Sequence, residues 1–165
     1  MAEAELKIST KGEYASRAML ELSLRHKEGS LHIKAISAAQ DIPERFLEQI
    51  LLQLKRAGYL RSRKGPHGGY ALAKPPEMIS VAEVVRVMDG PLAPIDCVSV
   101  TAHQVCPHED ACGLKGLWKE TRDAVAAIME RTTFADLAKR TLAARAKFAA
   151  SKGRGFRRTA RPSGA

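Results

Sequence analysis

Across 165 residues, no apolar run approaches the roughly 18 residues that a membrane span requires. The opening stretch, MAEAELKIST, lacks a basic segment followed by an apolar one, so it does not read as a secretory signal. Cysteine is scarce, and its count of three is odd, which argues against a closed disulfide framework. These absences predict a cytoplasmic protein with reduced thiols. Acidic residues are missing altogether from Leu137 to Ala165, where nine basic residues stand. Residues 1–136 carry 18 basic and 18 acidic groups, so the C-terminal stretch holds the whole net charge of +9. The overall charge is therefore weak evidence that the folded part binds nucleic acid. Local crowding matters more: Arg45, Lys55, Arg56, Arg61, Arg63 and Lys64 fall within one short region.

What is present is globular in composition, with 45% apolar and 27% charged residues. The length suits one domain, or a small domain plus an extension, with a core that needs no disulfide or metal staple. A first helix is predicted from about Thr10 to His26, with Thr10 and Glu13 as a capping box. A short helix covers about Ile33 to Gln40. Asp41-Ile42-Pro43 then forms a tight turn, with Asp41 or Ile42 near the N-cap of the next helix and Pro43 in its first turn. That helix runs from Glu44 to Ala57, and Phe46, Leu47, Ile50, Leu51 and Leu54 are spaced to line one face.

Gly58 stops the helix. Tyr59 to Arg63 and Tyr70 to Ala73 read as two strands, joined by the glycine-rich turn Lys64-Gly65-Pro66-His67-Gly68-Gly69. Two helices, a sharp turn, a third helix and a hairpin make a winged helix-turn-helix. Ser80 and Glu83 form a second capping box, with Ile79 placed to staple against Val84. A long helix follows from about Leu114 to Arg131. Its Leu114, Trp118, Thr121, Val125, Ile128 and Thr132 make a seam that wants a partner helix, hence a homodimer. Thr133 and Asp136 cap a further short helix, and residues beyond about Ala150 lack any apolar pattern and are expected to be disordered. The predicted fold is mainly α: a winged helix-turn-helix over residues 1–80, a cysteine loop with a long dimerisation helix over 81–140, and a basic, largely disordered tail over 141–165.

In a helix-turn-helix the second paired helix enters the major groove of double-stranded DNA. Here Pro43 opens that helix, and Glu44, Arg45, Glu48 and Gln49 are its outward residues. Arg45 suits guanine and Glu48 suits a cytosine amino group. At the hairpin tip, Arg63, Lys64 and His67 flank a turn that lets backbone approach phosphates and suits a minor groove. A solvated charged face on a protein-assembly module is the competing interpretation.

Cys97, Cys106 and Cys112 share one loop between two helices, with His103, His108, Asp96, Glu109 and Asp110 beside them. Three thiolates on one loop suit an iron–sulfur cluster or another soft metal. Addition of His103 or His108 would complete a zinc set. Free thiols or a redox pair remain a third reading. A catalytic cysteine lacks an orienting third group and an oxyanion motif, so no enzyme is expected.

The order of these features is that of a known family. The stretch Leu6 to Ala15 (LKISTKGEYA), the run Phe46 to Leu51 (FLEQIL), the wing Lys64 to Leu72 (KGPHGGYAL) and the three-cysteine loop together resemble the Rrf-two family of winged-helix bacterial regulators over about residues 6–140. The resemblance implies a dimeric DNA-binding repressor. Its iron–sulfur cluster, 2Fe–2S or 4Fe–4S, would be held by Cys97, Cys106 and Cys112 near the dimer interface and would sense iron, nitric oxide or redox state. Some members take a fourth ligand from a histidine three residues after the last cysteine, where this chain has Lys115. Others take it from a first-helix carboxylate, whose position Glu13 occupies; as a capping residue, Glu13 would need no metal.

Overall fold

The computed structural model describes residues 8–66 and 68–157, by backbone alone from residue 153. The first helix, α1 (Thr10–Leu24), starts one residue earlier in its capping than the local motif suggests. The cap is Ser9: its hydroxyl accepts the Gly12 N–H at 3.1 Å. Glu13 therefore closes no capping box, and the expectation of a Thr10–Glu13 pair is corrected. The cause is tertiary. Ser9 donates its own N–H to Asp89 Oδ2 at 3.1 Å and its hydroxyl to Asp89 Oδ1. Gly12 makes this approach possible, because a Cβ there would fall 2.5 Å from Asp89 Oδ2.

The helix-turn-helix consists of α2 (Ile33–Gln40) and α3 (Glu44–Arg56). The turn between them is divided differently from the sequence expectation. Asp41 ends α2 in the left-handed conformation, with φ of 50°, which aspartate tolerates better than most residues. Pro43 is the N-cap of α3 rather than a first-turn residue, and its carbonyl accepts the N–H groups of Phe46 and Leu47, both at 3.0 Å. Leu47, Ile50, Leu51 and Leu54 are buried as the spacing predicts. Phe46 is not: it is 56% exposed. It precedes Leu47 by one residue, about 100° around the helix, and falls outside the arc of the other four.

The wing is an antiparallel pair, β1 (Leu60–Arg63) and β2 (Gly69–Leu72), with Leu60 opposite Leu72 and Arg63 opposite Gly69. Leu31 and Tyr70 exchange two backbone hydrogen bonds of 2.8 Å, which fasten the wing to the start of α2. Gly69 is the residue that allows this. Its φ is +146°, and a Cβ would lie 2.2 Å from the Leu31 carbonyl oxygen. Gly69→Ala is expected to cost roughly 2–4 kcal/mol, from backbone strain plus a clash with immovable backbone. Urea unfolding would show a lower midpoint at unchanged slope. Gly58→Ala, at φ +82° with open space around it, is expected to cost only about 1 kcal/mol.

Four helices surround α1: α2, α3, α4 (Val81–Asp89) and α6 (Phe134–Arg157) all pack against it. The Ser80–Glu83 capping box is formed in both directions, and Ile79 and Val84 are both fully buried. Partial burial works to raise the Glu83 pKa, but bonds from the Ser80 N–H and hydroxyl outweigh it and hold the carboxyl below its ordinary value. Ile79 to Val81 also pair with Thr132 to Phe134: the Val81 N–H donates to the Thr132 carbonyl and the Phe134 N–H to the Ile79 carbonyl, both at 3.0 Å.

Helix α5 (Leu114–Arg131) has the expected bounds, and none of its residues is buried. Helix α6 does not have the expected length. Thr133 and Asp136 cap it as predicted, and the Thr133 hydroxyl and N–H hold the Asp136 carboxyl below its ordinary pKa. It then runs 24 residues, so 151–157, expected to be disordered, are helical. The alanine-rich stretch up to Ala150 favours helix by propensity without any apolar periodicity, whereas Ser151 to Arg157 hold no alanine and two glycines, so propensity does not explain the last turns. The rest of the expected disordered tail, 158–165, lies outside the described residues.

Candidate nucleic-acid interface and cysteine loop

The surface of the helix-turn-helix is built from the start of α3 and from the wing. Pro43, Arg45, Glu48 and Gln49 are all exposed. Their outward placement follows from the burial of Leu47, Ile50, Leu51 and Leu54, which commits the opposite face of α3 to the core. In β1, Leu60 faces the core, and strand alternation puts Arg61 and Arg63 together on the other side. Lys64 is exposed at the turn, and His67 lies outside the described residues. Lys55 Nζ donates to Ser62 Oγ at 2.6 Å and ties the end of α3 to the wing. Among the described residues, no carboxylate pairs with Arg45, Arg61, Arg63 or Lys64. Their charge is left for an outside anion.

One contributor escaped the sequence reading. His32 caps α2, with Nδ1 accepting the Lys34 N–H at 3.3 Å. It lines a groove of about 440 Å³ between the α1–α2 connection and the wing, together with Glu28, Ser30, Arg63, Pro66 and Gly68. A histidine just before a short helix is its only sequence signal, and the neighbouring wing is brought there by the Leu31–Tyr70 pairing.

The cysteine loop joins α4 to α5. Cys97 sits in a 3-10 turn at Asp96–Val98, and Cys112 ends a second at Glu109–Ala111. Cys97, Cys106 and Cys112 are all half-buried and free. One ion pair fastens the loop to α5, and a second contact closes within the loop. Glu109 Oε1 accepts from Lys115 Nζ at 2.9 Å and meets His103 Nε2 at 3.0 Å. Lys115 first, and then His103, pull the Glu109 carboxyl down to about 2, and Glu109 in turn raises Lys115. Arg122 Nη1 donates to the Val98 carbonyl, the residue after Cys97. Val98 is itself buried, which pins that turn.

The structure gathers only part of the proposed ligand set. Cys97, His103, Glu109, Lys115, Lys119 and Arg122 line one cavity of about 260 Å³. Cys106, Cys112 and Glu13 are not among its lining residues. Glu13 is 61% exposed by side chain and pairs with Arg17 at 3.5 Å. Lys115 is an ammonium engaged by Glu109, so it offers no lone pair. Among the described residues, no three of His, Cys, Asp and Glu converge as a metal site. Three thiols on one loop fit iron–sulfur chemistry by kind, but within one chain they stand apart. No described helix is long and apolar enough to cross a membrane.

The comparisons with known proteins agree with this architecture. The Rrf2 (Rrf-two) family model, described as an iron-dependent transcriptional regulator, matches residues 8–140. The transcriptional regulator CymR of Bacillus subtilis is 35% identical over 136 residues, which is 82% of this chain and 92% of that protein. Its solved structure, described as the global cysteine regulator, superposes with a TM-score of 0.70 over 82% of this chain and 98% of that one. The structure of IscR from T. potens superposes at 0.68 with 30% identity, covering 82% and 88%. With a winged helix-turn-helix, a basic wing and a family match over most of its length, this chain belongs to the Rrf2 family of DNA-binding transcriptional regulators.

Proposed function

We propose that this regulator acts as a homodimer on double-stranded DNA, and that an iron–sulfur cluster on the loop between α4 and α5 sets its affinity. Cys97, Cys106 and Cys112 are the residues that would hold the group. When bound, the cluster supplies an iron centre that responds to iron supply, nitric oxide or redox state. Support comes from the family description as iron-dependent and from IscR among the relatives. The observation that carries the reading is the fastening of the loop to α5 through Arg122–Val98 and Lys115–Glu109. Helix α5 also leaves apolar side chains outside the core: Leu114 and Ile128 of its seam are 57% and 53% exposed, while Trp118, Thr121, Val125 and Thr132 are half-buried. A partner α5 seated on that seam would link the order of each cysteine loop to the separation of the two recognition helices. Half-sites about one helical turn apart would feel that separation.

Glu13 does not line the cavity beside Cys97, so it stays a candidate from the partner chain. A second reading rests on the separated thiols: the loop responds through free cysteines and holds no cluster. CymR, among the relatives, is described as a global cysteine regulator and not as iron-dependent. Protein purified without oxygen separates the two. The cluster reading expects visible charge-transfer absorption, with iron and sulfide in equal amounts, and all three signals lost in a Cys97→Ser/Cys106→Ser/Cys112→Ser variant that still binds DNA. Colourless, iron-free protein whose DNA affinity changes on thiol oxidation would establish the second reading instead.

A further inference from the structure

The first turn of α3 carries a side chain that hydrogen bonding cannot explain. Phe46 is 56% exposed, beside the exposed Arg45, Glu48 and Gln49. Its backbone is fixed, because its N–H donates to the Pro43 carbonyl at 3.0 Å. The core is complete without it: Leu47, Ile50, Leu51 and Leu54 fill the inner face, each no more than 1% exposed. An aromatic ring exposed at the entry of a recognition helix offers apolar surface where base edges would lie. It has no donor or acceptor with which to read a base-pair edge.

The major groove offers one apolar group, the C5-methyl of thymine. Residues in the N-terminal part of a recognition helix are those that meet base edges. We infer that Phe46 is a specificity-determining residue that packs against a thymine methyl, while Arg45 and Glu48 read hydrogen-bonding edges beside it. The inference rests on the reading of α3 as the recognition helix and goes one step beyond it.

The test uses an operator selected by the wild-type full-length protein from random duplex DNA. Each thymine is replaced singly by deoxyuridine, which keeps every hydrogen-bonding group and removes only the methyl. Wild-type affinity is expected to fall about fourfold at one thymine position, the worth of one buried methyl group. Phe46→Ala is expected to bind the thymine operator more weakly and to show no loss at that position, whereas Phe46→Leu retains part of it. Because Phe46 lies outside the core, both variants are expected to unfold at the wild-type denaturant midpoint. An unchanged deoxyuridine penalty in Phe46→Ala, or no penalty at any thymine in the wild type, overturns the inference. Arg45→Ala and Glu48→Ala, put through the same selection, separate the two levels. If they shift the selected sequence while the methyl result fails, only Phe46 is misassigned. If neither they nor Phe46→Ala alter it, the reading of α3 falls as well.

Discussion

Phe134→Ala is expected to remove about 3–5 kcal/mol of folding stability, the range for truncating a fully buried aromatic side chain. Phe134 has no exposed surface and belongs to the same apolar cluster as Met19, Leu22, Leu51 and Leu54. It opens α6, and its N–H is already committed to the Ile79 carbonyl, so its backbone cannot shift to refill the space. Domains of this size have about 5–15 kcal/mol in total, so the loss takes a large share of it. The position is also mechanical. Phe134 follows α5 within three residues and anchors that stretch to α1, beside the Arg86–Glu130 pair and the Val81–Thr132 bond that also hold the end of α5. Denaturant titration should show the fall, whereas Met78→Ala, at 66% exposure, should stay within about 0.5 kcal/mol of wild type.

Neutralising the wing is expected to have the largest effect on DNA. Arg61, Arg63 and Lys64 are exposed and unpaired among the described residues. If each meets one phosphate, the triple alanine variant releases about three fewer counterions. The slope of log affinity against log salt then falls by about 2.7, and affinity near physiological salt drops by roughly 100-fold. The loss should be nearly equal for the operator and for unrelated DNA, because phosphate contacts carry no sequence information. Arg45→Ala should behave in the opposite way, with a selective loss on the operator. A triple variant with an unchanged salt slope would remove the wing from the interface.

Local signals were the legible ones. The Ser80–Glu83 and Thr133–Asp136 boxes, the Gly58 stop and the glycine-rich turn each act within a few residues, and the structure has all of them. The bounds of α5 were readable for the same reason. Where a distant residue competes, local reading failed. Asp89 takes Ser9 from 80 positions away and moves the first cap off Thr10. Pairing of Ile79 with Phe134 creates a core position that no periodicity marked. Phe46 was misplaced because a spacing rule counts apolar residues without asking whether the core is already full. In α6, the helix runs on through Gly153 and Gly155, where neither propensity nor apolar pattern marks it. At the cysteine loop, the residue types were readable but their spacing was not. A chain of turns between two helices has no period that says how far apart three thiols will stand.

The central claim joins that loop to the grip on DNA, and one comparison tests it. Operator affinity is measured across a salt series for protein loaded with iron and sulfide without oxygen, and for the same preparation after chelation. The account expects the two forms to differ by a factor of roughly 30–150, equivalent to about 2–3 kcal/mol of coupling. It expects the Cys97→Ser/Cys106→Ser/Cys112→Ser variant to match the stripped form under both treatments. Equal affinity of the loaded and stripped forms at every salt concentration would contradict it.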